Sequence, residues 1–284
     1  MSGIVQEIVD TYKKGGTLTK LIFINTAVFV ICGIVSLFFS NIMLWLSMPS
    51  DLPDLILKPW TLITYNFYHK ELFHFIFNVL NLYWFGRIFL VYFNNKKLLA
   101  VYLVGGIIGG LAYFAAYNIF PSVFHPAILM GASASIMAII IATAVYAPDF
   151  RIYMLFLGEV KLKWIGLASF IISVILINSV NPGGNIAHVG GAIFGYLWVI
   201  QYKRGREVTS GFSRFLSSFG SLFKRRKMTV TYKRPPTDEL EYNRKKNTEQ
   251  QEIDRILDKI SKGGYDNLTK SEKDTLFDLS KKNQ

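Results

Sequence analysis

Apolar residues in this chain come in blocks about as long as a bilayer is thick, not in the short alternations of a soluble domain. The first block covers residues 21–39, close to the roughly 20 apolar residues that a helix needs to cross a hydrocarbon core. Further blocks cover 72–93, 98–119, 131–147, 164–180 and 186–202. Polar punctuation separates them. Asn94-Asn95-Lys96-Lys97 closes the second, Pro148-Asp149 closes the fourth, and Asn181-Pro182-Gly183-Gly184-Asn185 makes a turn before the sixth. The pattern predicts an all-α polytopic membrane protein, a bundle of six transmembrane helices with a small helical tail. Gly105, Gly106, Gly109 and Gly110 in the third block, and Gly190, Gly191 and Gly195 in the sixth, leave small-residue faces for close helix contact.

The segments between and around the blocks have their own patterns. Residues 1–20 read as a cytoplasmic amphipathic lead: Ile4, Ile8 and Val9 share a helical face, and Lys13, Lys14 and Lys20 follow. No small-residue cleavage site precedes the first block, which is expected to be a retained anchor. Residues 40–70 form a long connection with Pro49, Pro53 and Pro59, and with Trp45 and Trp60 suited to a membrane interface. A connection of that length in a compact fold is expected to be functional or partly embedded. Residues 203–250 read as a basic amphipathic segment and linker, in which Phe212, Phe215, Leu216, Phe219, Leu222 and Phe223 recur at helical spacing ahead of a cationic cluster. Residues 251–284 read as a helical hairpin. Ile253, Ile256, Leu257 and Ile260 share one face, Gly263-Gly264 stops the first helix, and Thr269 with Glu272 forms a capping box for the second.

Composition and charge add an orientation. The 284 residues are 51% hydrophobic and the formal net charge is +12. Residues 203–284 carry 20 Lys/Arg against 12 Asp/Glu, whereas residues 1–202 carry 11 against 7. In a membrane protein, a basic tail points to the anionic inner leaflet of the lipid bilayer rather than to nucleic acid. Lys13, Lys14, Lys20, Lys96, Lys97, Arg151, Lys161 and Lys163 all fall on the same side as that tail, so both termini are expected to be cytoplasmic. The lone Cys32 cannot form an intrachain disulfide.

Candidate chemistry is sparse. No Asp or Glu lies in the middle of a block, which argues against a proton-relay transporter or a membrane aspartyl protease, and there is no HExxH. The remaining polar groups are His74 and Asn78, four apart on the second block; Ser133, within Gly131-Ala132-Ser133-Ala134-Ser135; and His188. Taken singly, Ser133 reads first as a helix cap or a small packing residue, and His74 and Asn78 as interhelical hydrogen-bonding glue. Taken together, at similar depth on one side, they suit acyl transfer. Ser133 is the candidate nucleophile and His188 the general base; without a carboxylate to orient the imidazole they form a dyad. His74, Asn78 and the Ser133 backbone N–H are candidate donors to an oxyanion. Ser135 points about 200° away from Ser133 on a helix and reads as packing. His125 lies in a loop and reads as interfacial.

Several stretches carry a resemblance. They are Pro59-Trp60 with Thr64 and Phe67, His69-x4-His74-x3-Asn78, Tyr102-Leu103 with the glycines after it, Gly131-Ala132-Ser133, and Ala187-His188-Val189-Gly190-Gly191-x3-Gly195. Over most of residues 20–202 the chain resembles the rhomboid intramembrane serine proteases of the six-span bacterial type. The resemblance implies a multi-pass protein of a bacterial cell membrane that cuts single-span membrane proteins near the outer face, with no metal or cofactor. It implies Ser133 and His188 as catalytic residues, His74 and Asn78 as oxyanion side chains, and His69, Gly131, Ala134 and Met137 as supporting positions. Ala134 stands where the family usually has Gly, and its methyl is expected to tighten the oxyanion hole. Met137 stands where Tyr or Phe is frequent. The alternative is a rhomboid-like protein that binds transmembrane helices without cutting them.

Overall fold

Some helices begin where the polar punctuation supplies a side-chain cap. In the computed structural model, which describes residues 3–39, 41–154, 158–178, 181–209, 211–212 and 239–282, the chain divides into two units, residues 1–224 and 225–284. The first unit opens with α1 (Gly3–Lys14) and α2 (Thr17–Ser36). The long connection then holds α3 (Ile42–Leu46), the two-residue strand β1 (Met48–Pro49), α4 (Leu52–Leu57) and α5 (Thr61–Thr64). Next come α6 (Leu72–Tyr92), α7 (Asn95–Ile119), β2 (Ile128–Leu129) and α8 (Ser133–Tyr146). Strands β3 (Arg151–Met154) and β4 (Gly158–Lys161) precede α9 (Leu162–Ile175), and α10 (Pro182–Lys203) closes the bundle. The Asn94 side chain accepts from the Lys97 N–H at 3.0 Å to start α7. Asn181 accepts from the Gly184 N–H at 3.1 Å to start α10, with Pro182 at the first helical position.

α8 is the centre of this unit. It has no polar face, and every residue from Ala134 to Ala144 is buried. A helix that is apolar all round belongs in a core, and α8 packs against α6, α7, α9 and α10. The contact with α10 is close because a side chain at Gly191 or Gly195 would run into the carbonyl oxygens of Ala134 and Ala138. Among the described residues three helices, α2, α6 and α7, are long and apolar enough to cross a membrane, while α8 and α9 are shorter apolar helices. At 1.5 Å per residue α8 extends only about 21 Å, against roughly 30 Å of hydrocarbon.

The long connection is folded rather than slack. Trp45 and Trp60 stack with centroids 6.0 Å apart, and the Trp60 Nε1–H donates to the Trp45 carbonyl at 2.8 Å. β1 pairs antiparallel with β2, Met48 opposite Leu129, which ties the connection to the approach of α8. A buried polar chain adds to this tie. The Asn25 amide donates to the Tyr102 hydroxyl (3.1 Å), Tyr102 donates to the Asn66 carbonyl (3.2 Å), and the Ser135 hydroxyl donates to Asn66 Oδ1 (2.8 Å). Each member is buried, and along the chain each is joined to the next, although the Asn25 side-chain carbonyl oxygen finds no partner among the described residues.

Three expectations are corrected. The first apolar helix begins at Thr17, within the expected lead, because Gly16 takes an extended conformation that serves as its N-cap. The segment between the fourth and fifth apolar blocks, residues 149–163, reads in the sequence as a loop but is a β-hairpin. Arg151 pairs with Lys161 in the ladder and bonds Glu159 at 2.7 Å, and Lys161 bonds Asp149 at 2.9 Å, so alternate charges find partners across the ribbon. These short strands depart from a purely α-helical class. In the second unit, α11 (Glu239–Gly263) begins at Glu239 rather than at residue 251, so part of the expected linker is helical, braced by pairs such as Gln250–Asp254 at 3.1 Å. α12 (Lys270–Lys282) follows a short 3-10 turn at Tyr265–Asn267. From residue 213 on, the basic amphipathic helix expected after the bundle lies outside the described residues.

Candidate active site

The approach to α8 is shaped by one backbone position. Gly131 has φ +108°, a region that side chains rarely enter. It is closed sterically as well, since a Cβ there would lie 2.6 Å from the His74 ring. The Gly131 N–H donates to the Tyr65 carbonyl at 2.8 Å. The next amide, Ala132 N–H, donates to His69 Nε2 at 3.3 Å, while His69 Nδ1 lies 3.3 Å from the Phe67 carbonyl. A carbonyl can only accept, so Nδ1 carries the His69 proton and Nε2 is left to accept. Buried His69 thus stitches the turn before α8 to the turn before α6, and its ring meets that of His74 edge-on with centroids 5.2 Å apart.

This turn delivers Ser133 as the first residue of α8. Ala132, at the N-cap, has no side chain to cap the helix. The amides of Ser133, Ala134 and Ser135 find no acceptor among the described residues and sit at the positive end of the helix dipole. The Ser133 hydroxyl turns instead to α10, where His188 Nε2 lies 2.7 Å from Ser133 Oγ. On the other edge of the same ring, His188 Nδ1 lies 3.3 Å from Ser173 Oγ of α9.

The remaining sequence-predicted positions fall around this pair. Asn78 is buried, and its amide donates to the His74 carbonyl at 2.8 Å. Among the described residues, neither His74 nor Asn78 is hydrogen-bonded to Ser133. The Ala134 methyl is directed at α7, where a Cβ on Gly109 would lie 2.7 Å from it. It fills a close contact between α8 and α7. Met137 is buried with Ile141 and Ala192, against Phe170. Ser135 gives its proton to Asn66, and His125 is exposed in its loop. Among the described residues no group of three or more His, Cys, Asp or Glu is placed to hold a metal ion.

Two site residues escape a reading of the sequence. Asn66 looks like any loop asparagine. Ser173 looks like a small residue packing an apolar helix, and its one signal is weak: it falls on the buried stripe of α9 with Leu162 and Gly166, one turn after Ser169.

Comparison with known proteins covers both units. Residues 237–282 match a family of unknown function (DUF6576). The chain is 26% identical over 189 residues to the mitochondrial presenilin-associated rhomboid-like proteins of Rattus norvegicus and Homo sapiens, an alignment covering 66% of this chain and 48% of each relative. It spans about half the length of these curated relatives. Residues 57–204 match the Rhomboid domain, a stretch that takes in every residue of the site from Tyr65 to His188. With more than half its length in that match, the chain belongs to the rhomboid family.

Proposed function

We propose that this protein is an intramembrane serine endopeptidase acting through a Ser133–His188 dyad. The observation that carries the reading is the 2.7 Å contact between Ser133 Oγ and His188 Nε2, made between residues 55 positions apart. That distance lets the imidazole take the hydroxyl proton as the oxygen attacks a substrate carbonyl. The tetrahedral intermediate carries its charge on the former carbonyl oxygen. The uncapped amides at the start of α8 are donors for that oxyanion, and His74 and Asn78 are further donors once a substrate occupies the site. The imidazolium then protonates the leaving amine as the C–N bond breaks, leaving an ester on Ser133. A water molecule, deprotonated by His188, releases the acid product and restores the serine.

The substrates are single-span membrane proteins, cut near the outer face of a bacterial cell membrane. The bundle crosses that membrane six times with both termini cytoplasmic, and the basic tail rests on the anionic inner leaflet. The short α8 supports a nucleophile set below the membrane surface, where a transmembrane segment would meet it. The test is cleavage of a model single-span protein in proteoliposomes, with fluorophosphonate labelling in parallel. Wild type is expected to cleave and to label, and Ser133→Ala to do neither. Cleavage undiminished by Ser133→Ala would overturn the reading, and a wild type that neither cuts nor labels would favour a helix-binding protein.

A further inference from the structure

We infer that Ser173 is a positioning residue for His188, setting both the tautomer and the orientation of the imidazole in a site otherwise described as a dyad. The inference rests on the protease reading above and adds a member to its machinery.

The argument counts protons. Ser173 lies on the inward stripe of α9 and is 3% exposed. Its hydroxyl oxygen is 2.9 Å from the Ser169 carbonyl, one helical turn back, and 3.3 Å from His188 Nδ1. A hydroxyl has one proton to give, and a neutral imidazole has one N–H. In one arrangement all three contacts are hydrogen bonds. Ser173 donates to the Ser169 carbonyl, His188 Nδ1–H donates to Ser173 Oγ, and the Ser133 hydroxyl donates to the bare Nε2 at 2.7 Å. In the reverse arrangement Ser173 donates to Nδ1 and Nε2–H donates to Ser133. The Ser169 contact then loses its proton, and the Ser133 hydroxyl proton has no partner among these groups. The interior favours the arrangement that satisfies more buried polar groups. That arrangement also leaves Nε2 unprotonated, the form a general base requires.

The same geometry serves the next step. When Nε2 takes the Ser133 proton, the ring becomes an imidazolium and the Nδ1–H bond to Ser173 becomes charge-assisted and stronger. Apolar Met137, Ile141, Ala192 and Phe170 pack together between α8, α9 and α10, and among the described residues Ser173 is the hydrogen-bond partner of Nδ1. A neutral hydroxyl stabilises the cation less than a carboxylate would, so the expected contribution is tens-fold rather than thousands-fold.

The experiment compares wild type, Ser173→Ala and Ser173→Thr in the full chain. It measures kcat and KM on the model substrate, the rate of fluorophosphonate labelling, and the melting temperature. Ser173→Ala is expected to lower kcat and labelling rate by about tenfold or more, the loss of one hydrogen bond to a charged group, with KM within about twofold. Ser173→Thr, which keeps the hydroxyl, is expected to recover most of the loss. In [15N]histidine-labelled protein, the His188 Nδ1 resonance, assigned by its disappearance in His188→Ala, is expected to be of the protonated type. Unchanged kcat in Ser173→Ala, equal losses in the Ala and Thr variants, or an unprotonated His188 Nδ1 would each overturn the inference while leaving the protease reading standing. A wild type with neither cleavage nor labelling would overturn both.

Discussion

The helices α8 and α12 each open beside a hydroxyl, and they use it in opposite ways. In the second unit Thr269 is the residue before α12. Its hydroxyl lies 2.9 Å from Glu272 Oε2, the Glu272 N–H reaches back to Thr269 Oγ1 at 3.4 Å, and the Thr269 N–H donates to Glu272 Oε2 at 2.9 Å. This is a closed capping box that satisfies the end of the helix locally. In the first unit Ser133 sits one position further in, as the first residue of α8, behind an alanine that cannot cap. Its hydroxyl leaves its own helix and bonds His188, and the helix amides stay open. A shift of one residue in register separates a hydroxyl that stabilises a helix end from one that can do chemistry there.

The sharpest way to break this contrast is to remove both hydroxyls in turn. Ser133→Ala is expected to lower cleavage by about 10³-fold or more, the usual cost of losing a serine nucleophile, and to leave the melting temperature nearly unchanged. Thr269→Ala is expected to leave cleavage near wild type and to cost the second unit about 1 kcal/mol, read by hydrogen exchange of the α12 amides. Next in size is Gly131→Ala. It forces a side chain into φ +108° and against the His74 ring, and the displaced turn carries Ser133 with it. A shift of about 1 Å in a nucleophile costs on the order of 10²-fold, so kcat is expected to fall by about that much, with a measurable loss of stability.

Smaller again is Ser135→Ala, which sharpens the comparison within α8 itself. Asn66 loses the donor to its buried carbonyl oxygen, at a cost of about 1–3 kcal/mol, while kcat per folded molecule stays near wild type. Equal losses of activity from Ser133→Ala and Ser135→Ala, at matched melting temperatures, would dissolve the distinction drawn between the two serines.

How much of this was legible in the residues differs between the two regions, for physical reasons. The capping box is a local object, contained within four residues, and its spacing alone specifies it. The pairing of Ser133 with His188 is not local, and it was legible only because matching motifs stand at both ends. Ser173 and Asn66 carry no such mark. A serine in an apolar helix costs little and packs anywhere, so its pattern is the same whether it faces lipid or an imidazole. Only the close approach of α9 to α10 distinguishes the two. The β3–β4 hairpin was missed because its strands are four residues each, too short for alternation to stand out. The early start of α11 was missed because its first turns are polar, and apolar periodicity, the main helix signal, is absent there.

The smallest expected effect falls on the capped end alone. The Glu272 carboxylate is held down to about 2, first by its hydrogen bond from Lys259 at 2.7 Å, then by the Thr269 backbone N–H and hydroxyl. Its ordinary value is 4.5, so the folded state binds a proton less readily than the unfolded chain does. A group depressed in this way adds its stability in full above about 4.5, and that stability is lost as pH falls toward about 2. Protection of the Glu272 and Lys273 amides is therefore expected to weaken through that acid window and to be flat from pH 5 to 8. Glu272→Gln, which keeps the shape but not the charge, is expected to remove the acid dependence while retaining part of the protection at neutral pH. The effect is small because the Lys259 partner is half exposed, so solvent screens the pair. An acid window that persists in Glu272→Gln would assign the titration to another carboxylate, and the capping box would then be held by its hydrogen bonds alone.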